Sequence, residues 1–187
     1  MTLPKTTSLN IDELTEILSD FAIDRTEMHE LLSNFPSETG FNRTTVEYEI
    51  QILRILGVGW GISYFIHDKL LKKVLSESYW NSIQELSNNL SRISSASMSD
   101  EFNYFDVIKE RLDTYLAETK SLAGSDDPAT VIGPKFAELC GHANNAVVIW
   151  LGCKMFQSVF NHLKTYLSGV EFIESNSDLN NQSETNQ

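Results

Sequence analysis

The side chains in this sequence that could do chemistry centre on one dipeptide, His67-Asp68, which follows the apolar lead-in Tyr64-Phe65-Ile66. Imidazole nitrogens and carboxylate oxygens together hold one or two divalent metals, and a metal so held activates water for hydrolysis. His29 lies upstream of the dipeptide and Asp106, Asp113 and Asp127 lie downstream, so the residue types for such a centre are present.

That order, an upstream His, a His-Asp after an apolar helix and a later Asp, resembles the helical metal-dependent phosphohydrolases of the HD type. The resemblance implies a phosphohydrolase with His29, His67 and Asp68 among its metal ligands. After Asp68 the sequence departs from the pattern, running on through Leu70-Leu71-Lys72-Lys73 where that family turns through a small residue. The simpler reading is a boundary histidine beside a solvated acid, where a buried helix emerges into water, because a short motif needs its structural context. On that reading the sequence assigns no catalytic residue, no metal and no cofactor.

Other groups point the same way. Gly57-Val58-Gly59-Trp60-Gly61 looks like a phosphate-binding glycine loop, but such a loop joins a strand to a helix N-terminus, and helical sequence flanks this one on both sides. Gly57 and Gly61, one turn apart, instead predict a flat strip where another helix packs close, with a kink or pocket at Trp60 as the alternative. Cys140, His142 and Cys153 lack the paired spacing of structural zinc. Glu27 with Glu30 and Glu110 with Asp113 resemble fragments of the carboxylate clusters of helical nucleotide pyrophosphatases; solvated helix faces account for both. The aromatic residues offer more. Trp60, Tyr64, Trp150 and Phe156 could line an apolar cavity between two long helices, a common site for ligands in bundles, or could fill the core.

The elements that must position these groups are helical. Apolar residues recur at helical spacing, alternating strand patterns are missing, and the chain holds only 9 Gly and 4 Pro in 187 residues, so the fold class is all-α. The expected architecture is one bundle of about six to eight helices built around two long hydrophobic helices, about 45–75 and 145–168. Residues 1–172 form the domain, with 1–40 as an acidic helical segment, and the polar residues 173–187 form a disordered tail. Asn10, Asp24, Asp100, Asp127 and Asn144 or Asn145 are the expected N-caps, with a further helix starting at Ser76 or Ser78. Residues 94–99 read as a linker, and Gly141 and Gly169 as helix ends. Segments 56–69 and 151–164 share six of fourteen aligned residues, which raises the question of a duplicated half-bundle.

Charge bounds the partners. The net charge is -12, the wrong sign for a nucleic-acid binder. Residues 1–40 carry 2 basic and 8 acidic side chains and residues 171–187 carry none and 4, so the body between them is nearly neutral. The longest apolar run, Ile55 to Ile66, falls short of the roughly 18 to 20 residues needed to span a bilayer, so no membrane association is expected. With two cysteines and no signal-peptide pattern at the N-terminus, the chain reads as cytoplasmic. The functional expectation is a non-enzymatic protein-interaction or regulatory module, working through a protein partner or self-association. Its partner-facing stripe would be Ile11, Leu14, Leu18 and Phe21 on the first helix. The alternatives are the HD-like phosphohydrolase and a binder of an apolar small molecule between the two long helices.

Overall fold

In the computed structural model, residues 8–35, 40–95, 103–120 and 127–172 are described. They form helices α1 (Ile11–Ile23), α2 (Thr26–Ser33), α3 (Arg43–Phe65), α4 (Lys69–Ser95), α5 (Tyr104–Thr119), α6 (Ala129–Leu139) and α7 (Ala146–Leu167). The expected all-α bundle is the fold, and among the described residues no helix is long and apolar enough to cross a membrane. The expected polar tail from residue 173 and most of the 94–99 linker lie outside the described residues, as does the expected cap Asp100.

Helix α3 is the axis of the bundle. Every residue from Glu49 to Gly59 is buried, because α1, α4, α5 and α7 all pack against it. A helix that is apolar all round is stable only inside such a ring of neighbours. Its glycines fit that role: a Cβ on Gly57 would lie 3.0 Å from Val159 of α7, one on Gly61 would overlap Leu163, and one on Gly59 would lie 2.5 Å from Trp80 of α4. The α6–α7 pair interlocks similarly, with Gly133 set against Cys153 and the Ile149 carbonyl, and Gly152 against Phe136. That packing keeps α6 continuous through Pro134, where the sequence suggests a bend or restart.

The expected single helix over about 45–75 is a correction. The chain leaves the helix at Ile66, whose backbone is extended (ψ 114°), and re-enters at Lys69. Ile66 stays buried, anchoring the break, and Asp68 Oδ1 accepts the N–H of Leu71 at 2.7 Å to start α4. Helix α4 then runs unbroken past the expected start at Ser76 or Ser78. Segments 56–69 and 151–164 are both helical over their first ten residues and differ at the break, since the second is helical throughout.

Caps follow the side-chain chemistry. Asn10 and Glu13 form a reciprocal capping box at 2.9 Å each way, and Asn145 accepts the N–H of Val147 at 3.0 Å. Asn103 caps α5. Asp24 Oδ1 accepts from Thr26 and Asp127 Oδ1 from Ala129, but each expected cap stands one residue early: the N-caps of α2 and α6 are Arg25 and Pro128. Gly141 has φ +76°, and the His142 N–H reaches back to the Ala137 carbonyl at 2.7 Å, the closure expected of a helix-ending glycine. Ser8–Leu9 and Glu171–Phe172 pair as two short parallel strands, too brief to show an alternating pattern in the sequence.

The expected partner-facing stripe on α1 is also corrected. Leu14 and Leu18 are 0% exposed and Phe21 2%, and Ile11 packs against the same core. An amphipathic helix buries its apolar face on the nearest apolar surface, and here α3 and α4 supply it.

Candidate functional site

Beside the α3–α7 seam the surface opens into a cleft of about 590 Å³. Trp60 and Tyr64 enter it from α3, and Phe156 and Phe160 from α7. Each pair is four residues apart and so shares one helix face. The glycine contacts that bring α3 against α7 place the two pairs side by side. Leu116 of α5 and Ile132 of α6 complete the apolar wall, and Ser63, Thr119, Asp127, Gln157 and Asn161 supply the polar groups.

The rings form a connected series from exposed Tyr64 to buried Tyr115. Tyr64, 70% exposed, lies 6.3 Å from Phe160; Phe160 lies 4.6 Å from Phe156; Phe156 lies 6.0 Å from Trp60; and Trp60 stands edge-on to buried Tyr115 at 6.0 Å. At the inner end the Trp60 indole N–H and the Tyr115 hydroxyl are buried and have no hydrogen-bond partner among the described residues. Burial holds the Tyr115 hydroxyl well above its ordinary pKa, so it stays protonated. At the rim, Asp127 Oδ2 accepts from Gln157 Nε2 at 3.3 Å.

Of the four residues expected around an apolar cavity, Trp60, Tyr64 and Phe156 line this cleft and Trp150 does not. Trp150 is 47% exposed, with its ring 5.9 Å from Phe35. Six residues along a helix turn a side chain by about 120° from the starting face, so Trp150 and Phe156 look different ways.

The residues of the HD-like alternative do not gather. His29 is exposed on α2, and His67 and Asp68 are exposed in the α3–α4 break, where Asp68 is occupied as a cap. Among the described residues no three His, Cys, Asp or Glu side chains form a group that could hold a metal ion. The residues present therefore do not fit the metal centre that the resemblance implies. Cys140, Cys153 and His142 are each engaged separately. Burial pushes the Cys140 thiol up to about 12, Cys153 Sγ donates to the Ala129 carbonyl at 3.2 Å, and His142 Nε2 accepts the Asn42 N–H at 3.1 Å.

Two ion pairs that the spacing of charges does not reveal each have one buried member. Arg54, 1% exposed, donates to Glu27 at 2.8 Å and to the Phe21 carbonyl at 2.8 Å, and Ser158 donates to the other Glu27 oxygen. Glu27 is thus not simply one of a solvated pair with Glu30. Burial alone would raise its carboxyl pKa, but the hydrogen bonds from Ser158 and Arg54 outweigh it and hold it below the ordinary value. Glu49, 3% exposed, is gripped by Arg111 Nε and Nη2 at 3.1 and 2.9 Å. Spacing shows that these charges lie on helices; it carries no signal that a partner 27 or 62 residues away will cover them.

Compared with family models, curated proteins and solved structures, the chain matches none. What the cleft does is therefore argued from its own geometry. Its walls can exclude water from an apolar body, and its rim can hydrogen-bond.

Proposed function

We propose that this protein is a non-enzymatic binding module whose cleft between α3, α5, α6 and α7 takes a small apolar molecule. The observation that carries the reading is the size and lining of the cleft. Its roughly 590 Å³ falls within the usual range for ligand sites, and aromatic and aliphatic walls with a few polar groups are the usual lining. The reading of a module acting through a protein partner loses its main support with the apolar stripe of α1 on the protein's own core.

The test uses a neutral fluorescent hydrophobe, N-phenyl-1-naphthylamine, titrated against the full chain. The expected result is saturable binding of one probe per chain, lost when Ser63→Trp fills the cleft and retained in Trp150→Phe. Ser63 is exposed, so the added ring can occupy the cleft without disturbing the core. Probe binding that survives Ser63→Trp, with the variant still folded by circular dichroism, overturns the proposal.

A further inference from the structure

The walls that make the cleft apolar also give it an electrostatic sign. Four aromatic rings, Trp60, Tyr64, Phe156 and Phe160, line it. The π face of an aromatic ring is negative and attracts a cation within about 6 Å of its centroid. The one charged side chain among the described lining residues is a carboxylate, Asp127, with no Lys, Arg or His beside it. The six residues that follow Lys120, Ser-Leu-Ala-Gly-Ser-Asp, add no basic group in sequence. Among the described residues the groups that donate to the Asp127 carboxylate, the Gln157 amide and the Ala129 N–H, are both neutral.

An anionic amphiphile such as a fatty acid would bring its carboxylate to a site whose described lining holds a carboxylate and no cation. An organic cation meets the opposite situation, since weakly hydrated alkylammonium groups lose little on leaving water and gain from both ring faces and carboxylate. We propose that the ligand of this cleft is an organic cation, an apolar or aromatic body carrying a tertiary or quaternary ammonium group, seated against the aromatic rings with Asp127 at the rim. This rests on the reading of the cleft as an apolar ligand site and specifies its occupant.

The experiment compares three small probes by isothermal titration against the full chain: benzyltrimethylammonium, its neutral carbon isostere neopentylbenzene, and the anion phenylacetate. The expected order has the cation bound about tenfold more tightly than the isostere, with phenylacetate weakest. Asp127→Asn, which keeps an acceptor for Ala129, should weaken the cation alone. If neopentylbenzene binds as tightly as the cation, the charge inference falls while the apolar site stands. If none of the three binds and N-phenyl-1-naphthylamine also fails, the cleft reading itself falls. A dimer that dissociates when the cleft is filled by Ser63→Trp would make a second copy the occupant and overturn the proposal.

Discussion

Arg54 of α3 donates to Glu27 of α2 at 2.8 Å from a position that is 1% exposed, while its other terminal nitrogen holds the Phe21 carbonyl at the end of α1. The same guanidinium lies 5.0 Å above the Phe21 ring and contacts Met155 of α7. One side chain therefore ties four helices at a point where the sequence shows only an isolated arginine. Removing the guanidinium leaves the Phe21 carbonyl without its donor, while Glu27, 32% exposed, regains water in part, so Arg54→Ala should cost about 2–3 kcal/mol in urea unfolding. A loss below about 1 kcal/mol, the range of exposed pairs, would show that the guanidinium is not held as described.

The same pair gives stability a pH dependence. The Glu27 carboxyl sits below its ordinary value of 4.5 in the folded chain, so the unfolded chain takes up the proton first. The contribution of Glu27 is then complete above that value and is lost as the pH falls through the lower folded value. The Tm difference between wild type and Glu27→Gln should narrow as pH is lowered from about 6 to about 3. A difference that stays constant across that interval contradicts the assignment.

The glycine contacts predict an order of damage. A Cβ on Gly133 would overlap Cys153 Sγ and come within 2.8 Å of the Ile149 carbonyl, a backbone atom that cannot rotate away. Gly133→Ala should therefore lose about 2–3 kcal/mol through overpacking. At Gly57 the nearest atom is a valine methyl at 3.0 Å, and alanine gains about 1 kcal/mol of helix propensity in partial offset. Chemical denaturation of the two variants should rank Gly133→Ala as clearly the more damaging; the reverse ranking would disprove the packing argument.

His67 and Asp68 separate by role. Asp68 begins α4 through its bond to the Leu71 N–H, so Asp68→Ala should lose about 1 kcal/mol and Asp68→Asn much less. His67 is exposed, and His67→Ala should leave stability within about 0.5 kcal/mol. Thermal melts with and without added divalent metal check both, and a metal-dependent Tm lost in His67→Ala would restore the metal reading.

Much of the fold was legible because it rests on local rules. Helical spacing of apolar residues, asparagine and aspartate caps and the closing Gly141 act within a turn or two, so they can be read from a few residues. The break at 66–68 was hidden because Leu70, Leu71, Val74 and Leu75 continue a plausible helical stripe; Asp68 before them was the cap signal available. The cleft was legible in part. Trp60 with Tyr64 and Phe156 with Phe160 share faces by spacing alone, whereas the direction of Trp150 depends on which neighbours α7 meets. Arg54 and Glu49 were illegible because burial of a charge is decided by partners distant in sequence.

Trp60 lines the cleft, and Trp80 and Trp150 do not. The three indole N–H signals in an 15N–1H correlation spectrum, assigned by single Trp→Phe variants, report on it directly. Titration with N-phenyl-1-naphthylamine should shift the Trp60 signal saturably and leave the Trp150 signal unchanged. A spectrum in which Trp60 does not respond, or in which Trp150 responds in its place, would contradict the account.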